Sequence, residues 1–254
     1  MNTYYLKARI YPVILSVIPI LIIGVLFSVT FKNYYQTIGG LGLSTVLFFL
    51  FSQLGRDRGK RIEKNLWEKW GGAPSTQILR LHDKQLNSLT KKEYHKIMNS
   101  LVDIETTPTE ELEIDFPNEC DEIYAAWVKY LIGKTRDTKK FNLLFSENIN
   151  YGFRRNSLGL KSFAIIVISI LIVGVLGVNY LNYGAINIKD MNTLIATGIL
   201  IIPLLYWVLI VNENWVKIPA IAYAERLMES IEEIKKERTT MGIVHSTPRD
   251  ARTP

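Results

Sequence analysis

VILSVIPILIIGVLFSVTF, residues 13 to 31, decides the fold class: fourteen of its nineteen residues are Val, Ile, Leu or Phe, and none is charged. At roughly 0.3 to 0.6 kcal/mol each on an insertion scale, these side chains favour the bilayer by about 4 to 8 kcal/mol before Ser, Thr, Gly and Pro are subtracted. Lys7 and Arg9 precede the run as the basic region of a signal peptide would. The run is long for a signal core, however, and Phe31 to Tyr34 offers no small-residue cleavage site, so it reads as a retained first span.

Working outward, three more runs have the same character. Ile38 to Leu54 begins with Gly39, Gly40 and Gly42 and is short, covering about 25 Å at 1.5 Å per residue against a hydrocarbon core near 30 Å. Lys32 to Thr37 is a connection short enough to join it to the first span as an antiparallel hairpin. Ser162 to Leu181 and Thr193 to Val211 form a second hairpin around a loop whose only charges are Lys189 and Asp190, with Pro203 tolerable inside the last span. The expectation is an all-α membrane protein with four transmembrane helices in two hairpins and a small, mainly helical cytosolic domain.

Orientation follows from Lys and Arg near the span ends. Lys7, Arg9, Arg56, Arg58, Lys60, Arg61, Lys64, Arg154, Arg155, Lys161 and Lys217 fall on one side, and Lys32 and Lys189 on the other. Both termini are therefore expected in the cytoplasm, in a cell (inner) membrane. The net charge of +6 is absorbed by the same residues, which meet lipid headgroups, so nucleic acid is not the expected direct partner. Ile20 to Leu26, ILIIGVL, echoes Ile170 to Leu176, ILIVGVL, but the second spans share no such likeness.

The expected organisation is a first hairpin over 1–54, a cytosolic domain over 55–161, a second hairpin over 162–211, an amphipathic helix over 212–238 and a disordered tail over 239–254. Ile62, Leu66 and Trp70 predict a helix that ends at Gly71 and Gly72, with Pro74 preventing resumption. Further helices are expected over 76–85, from Thr90 with a Thr90/Glu93 capping box, from Asn118 to Gly133 and from Thr138 to Ile149. Between Leu101 and Glu122 lie nine acidic residues and no Lys or Arg. There Glu111, Glu113 and Asp115 alternate with Leu112, Ile114 and Phe116, a period of two that predicts a short strand. Ala224, Leu227, Ile231 and Ile234 make a helical stripe that can dock on the cytosolic domain or pair with a neighbouring subunit.

No catalytic constellation is visible. His82, His95 and His245 are scattered, Cys120 is the single cysteine, and GRDRGK at Gly55 to Lys60 has glycines too close for a phosphate loop, with Arg61 where Ser or Thr is needed. No catalytic residue, metal or cofactor is expected, nor is any ionisable residue present inside the four runs, as an ion relay would demand. Function is expected instead where helices enter the bilayer, at Arg56, Arg58, Arg61, Trp67, Trp70, Arg154, Arg155 and Lys161. Glu110, Glu111, Glu113 and Asp115 are candidates for docking a soluble partner, and Arg80, Lys84, Lys91, Lys92 and Tyr94 for a small phosphorylated ligand.

LGRDRGKRIEKNLWEKWGGAPST, Leu54 to Thr76, and NYGFRRNSLGLK, Asn150 to Lys161, resemble segments of poorly characterised bacterial multi-pass membrane proteins, some of which accompany anti-phage defence genes. The resemblance implies an oligomeric membrane effector or channel-like protein whose cytosolic domain senses a signal and whose spans disturb the bilayer. The alternative is a non-catalytic scaffold or accessory subunit that recruits a soluble partner.

Overall fold

The computed structural model describes the backbone of residues 3–31, 34–102, 104 and 106–246, and their side chains except over 27–31, 34–48 and 241–246. It is 84% helical with no strand among the described residues, so the chain is all-α. The elements are α1 (Tyr11–Phe31) preceded by a π-helical turn (Tyr5–Ile10), α2 (Tyr34–Trp70), α3 (Pro74–Gln77), α4 (Ser88–Val102), α5 (Glu110–Asp115), α6 (Pro117–Lys134), α7 (Asn142–Tyr183), α8 (Met191–Leu205) with a π-helical extension (Tyr206–Ile210), and α9 (Glu213–Ser246).

Three described helical stretches are long and apolar enough to cross a membrane: Tyr5–Leu26, part of Asn142–Tyr183, and Met191–Ile210. The remaining expected span, Ile38 to Leu54, lies inside α2, but side chains 34–48 are outside the described residues. Lys32 and Asn33, Asp103 and Glu105 of the acidic stretch, and 247–254 also lie outside them.

The chain forms two compact units, 1–66 with 149–218 and 67–148 with 219–254. The stretches 55–66 and 149–161, expected in the cytosolic domain, therefore belong with the apolar helices. The first unit is cored by Val13, Val17 and Ile23 of α1, Leu160, Ala164, Ile168 and Val175 of α7, and Ala196, Leu200 and Trp207 of α8 and its extension. Ile166, Ile170 and Val173 of α7 and Ile202 and Leu209 of the α8 stretch stay open, the surface that lipid would cover. At the α7–α8 turn, Gly184 takes φ 70°. Asn179, 1% exposed, clasps that turn by accepting from the Asn187 N–H at 2.7 Å and donating to the Thr193 hydroxyl at 2.9 Å.

The second unit is built on Trp127, Tyr124, Leu131, Met98 and Leu79, closed by Ala224, Leu227, Met228, Ile231 and Ile234 of α9. The C-terminal stripe thus docks on its own chain's helical unit. Helix α2 ends as expected: the Gly72 N–H reaches the Trp67 carbonyl at 2.7 Å and the Gly71 N–H the Glu68 carbonyl at 3.2 Å, with φ 83° at Gly71.

Several local expectations are corrected. The predicted strand 111–116 is helix α5, because Thr109 caps it by accepting from the Leu112 N–H at 3.2 Å and the described residues hold no strand to take up a ladder. Pro74 opens α3 at its first position, where a missing N–H costs nothing, and α3 stops at Gln77 instead of reaching Gln85. Asn87, not Thr90, caps α4, accepting the Thr90 N–H at 2.8 Å, while Glu93 pairs with Lys235 at 2.9 Å. Helix α6 begins at Pro117, one residue before the expected Asn118 cap. The expected 138–149 helix and the third span are one 42-residue helix, and α9 continues through Ser246, so 239–246 is helical and not a disordered tail.

Candidate functional site at the crossing of α2 and α7

Glycines bring the two helices together. A Cβ built on Gly159 of α7 would lie 2.9 Å from the Gly59 backbone nitrogen and 3.2 Å from the Gly55 carbonyl oxygen of α2, so only glycine fits. Gly55 and Gly59 stand four apart, the spacing with which helices in lipid approach backbone to backbone. Two turns earlier on α7, a Cβ on Gly152 would meet the Tyr4 hydroxyl at 2.9 Å and the Ala8 Cβ at 3.0 Å, so the N-terminal turn joins the same crossing.

An ion pair is sealed into this contact. Arg155 of α7 donates to Glu63 of α2 at 2.5 Å, and the Tyr151 hydroxyl donates to the same carboxylate oxygen at 2.8 Å. The Arg155 and Glu63 side chains are only 11% and 18% exposed, so each depends on the other for its charge.

Polar side chains of α7 also bind backbone carbonyls of neighbouring segments. Asn156, 1% exposed, donates at 2.7 Å to the carbonyl of Ala8, in the π-helical turn that precedes Pro12. The Trp215 carbonyl faces Pro219 four residues on, and Arg154 donates to it at 2.8 Å with its guanidinium 4.9 Å from the Trp215 ring centroid. Lys161, seven residues further along α7, donates to the carbonyls of Val211 at 2.7 Å and Val208 at 3.2 Å, where the α8 extension stops before α9. Asn212 restarts the helix, its side chain accepting from the Trp215 N–H at 2.9 Å.

Of the expected junction residues, Arg154, Arg155 and Lys161 therefore share one helix and hold three neighbouring segments. Arg56 pairs with adjacent Asp57 at 3.1 Å, Arg58 and Arg61 are exposed, and Trp67 and Trp70 are half-buried, the Trp67 ring N–H having no hydrogen-bond partner. Glu63, Tyr151, Asn156 and the glycines were not anticipated. The Gly55/Gly59 spacing was a usable signal, weighed only as a phosphate loop. The Asn156–Ala8 bond joins residues 148 apart and has no local signature.

In the second unit, most of the expected phosphate ligands are already engaged. Arg80 grips Asp121 at 2.8 and 2.5 Å. Lys91, 2% exposed, donates to the carbonyls of Arg80 at 2.6 Å and Asp83 at 2.5 Å, and burial holds its ammonium below the ordinary lysine range. Tyr94 is buried, while Lys84 and Lys92 are exposed. Glu113 is turned inward, its side chain 7% exposed, and accepts from the Leu81 N–H at 2.7 Å and the Tyr124 hydroxyl at 2.5 Å, with His82 Nδ1 3.1 Å away. Burial pushes its carboxyl up, but these hydrogen bonds outweigh burial and leave it below the ordinary range. Glu110, Glu111 and Asp115 remain exposed. Two open clefts, of about 670 and 600 Å³, flank α5 and the 81–88 loop. Among the described residues no three of His, Cys, Asp and Glu gather as a metal site.

No protein-family model matches the chain, and neither does any curated protein or solved structure. Fold and site together define an all-α protein with three described helices fit to cross a membrane, one of which, α7, meets α2 at a glycine crossing.

Proposed function

We propose that this protein is an oligomeric, multi-pass effector of a bacterial inner membrane, channel-like in action and without a catalytic step. It spans the bilayer four times as two hairpins with both termini in the cytoplasm, and its helical unit senses a signal that the spans convert into a change in the membrane. Anti-phage defence is the setting that the resemblance of Leu54–Thr76 and Asn150–Lys161 suggests.

The observation that carries this reading is chain continuity. Helices α2, α7 and α9 each place residues in both compact units without a break. A helix transmits displacement along its axis because its backbone bonds form one ladder, whereas a flexible linker dissipates it. The crossing at Gly55, Gly59 and Gly159 ties two of these helices together.

The test is reconstitution of the full chain in liposomes, with dye and ion leakage measured with and without the products of neighbouring genes. Triggered leakage is expected, abolished when Trp67 and Trp70, or Arg154 and Arg155, are changed to Ala although the protein still inserts. Absence of leakage under every trigger, with stable capture of a soluble protein, would leave the recruiting scaffold as the function. That second reading is favoured by the exposed acidic and apolar face of α5.

A further inference from the structure

We propose that α5 and the cleft beside it form a docking site for a basic amphipathic helix of a separate soluble protein. The site deepens the recruiting reading, and its test does not depend on leakage.

Helix α5 is short, and a six-residue helix does not hold its shape alone. Its inner side is fastened: Glu113 accepts from the Leu81 N–H and the Tyr124 hydroxyl, and Leu112 packs on the core of Tyr124, Trp127 and Met98. With 112 and 113 turned in, the helix is fixed in rotation, and Ile114 and Phe116 are left 78% and 51% exposed. Ile114 borders the cleft of about 600 Å³, whose wall includes Leu81, Leu86 and Glu110 together with the exposed Lys84 and the buried Lys91. Around these apolar groups Glu110, Glu111, Asp115 and Glu119 are exposed, and none forms an ion pair among the described residues.

Two large apolar side chains held outward on a stretch with four exposed carboxylates outside any described ion pair suit one kind of occupant. Apolar side chains at i and i+4 would cover Ile114 and Phe116, and flanking Lys and Arg would meet the carboxylates. A bilayer fits poorly, since anionic headgroups are repelled by the same carboxylates. The basic stretch of α2 in a second copy fits poorly too. Its exposed cations Arg58, Lys60, Arg61 and Lys64 surround Ile62, which is half-buried, and Leu66, which is 1% exposed, so that surface offers no free apolar partner.

The experiment uses the full chain in phosphatidylcholine nanodiscs and a fluorescent eighteen-residue Lys/Leu amphipathic helix, read by anisotropy against empty discs. Binding is expected to weaken about tenfold in Ile114→Ser/Phe116→Ser and in Glu110→Gln/Glu111→Gln/Asp115→Gln, and to weaken as salt rises from 50 to 300 mM. Unchanged circular dichroism and melting show that the variants fold, as substitutions at exposed positions should. Equal affinity in all three proteins, equal binding of a Glu/Leu helix of the same spacing, or no binding at all overturns the proposal. So does tighter binding of a peptide of this chain's residues 56–70, which would make the occupant a second copy.

Discussion

Asn156 is the residue whose role is most sharply defined by chemistry. It donates to the carbonyl of Ala8, which is fully buried in the π-helical turn before Pro12. Asn156→Leu removes that hydrogen bond and is expected to destabilise the chain by about 1 to 3 kcal/mol. Denaturation in detergent measures this, and unchanged stability would refute the assignment. His95 offers a second residue-level prediction. Its ring nitrogen lies 2.8 Å from the Leu79 carbonyl, and burial lowers its pKa, only partly opposed by that bond. With the folded value below the unfolded 6.5, its contribution is complete above pH 6.5 and is lost as pH falls through the folded value. Glu113, likewise depressed, loses its contribution only below about pH 4.5. Stability against pH should therefore begin to fall near 6.5, and His95→Gln should remove that first decline while keeping the one below 4.5.

At the scale of elements, α7 organises the first unit through two devices that sequence displays unequally. The glycine spacing on α2 is visible once it is read as a packing signal, and Gly159→Leu should force α2 and α7 apart because its Cβ alone would lie 2.9 Å from the Gly59 nitrogen. Thermal unfolding should show a loss larger than that of Gly174→Leu on the same helix, where a Cβ meets nothing within 4 Å. The Glu63–Arg155 pair behaves differently. Removing one partner leaves a buried charge and should cost about 3 to 5 kcal/mol, whereas Glu63→Met with Arg155→Met should cost much less. A double variant as unstable as the single ones would show that the pair holds the crossing by more than mutual neutralisation. Helix α5 shows the limit of periodicity: six residues of alternating pattern fit strand or helix, and the choice came from Thr109 as a cap and from Glu113 finding partners in the core.

For the whole molecule, the proposed four-span arrangement makes a labelling prediction. Cysteines placed at Lys32 and Lys189 should react with an impermeant maleimide added outside intact cells, and cysteines at Lys60 and Arg226 only after permeabilisation. Cys120 will not interfere, since it is fully buried and burial raises its thiol pKa, leaving little thiolate to react. Equal labelling of Lys32 and Lys60 positions from outside would refute the hairpin topology. The amino-acid pattern alone establishes that this chain is helical and that its apolar runs suit a membrane, because bilayer solvation acts on each segment separately and is legible in composition. It also establishes the α2 stop, since Gly71 and Gly72 act locally. That Glu113 faces inward, that Lys91 is spent on backbone carbonyls, and that Asn156 and Arg154 bind the carbonyls of Ala8 and Trp215 emerges only when the helices have packed. Those roles depend on which groups remain unsatisfied after the helices pack, and that is a property of the folded whole.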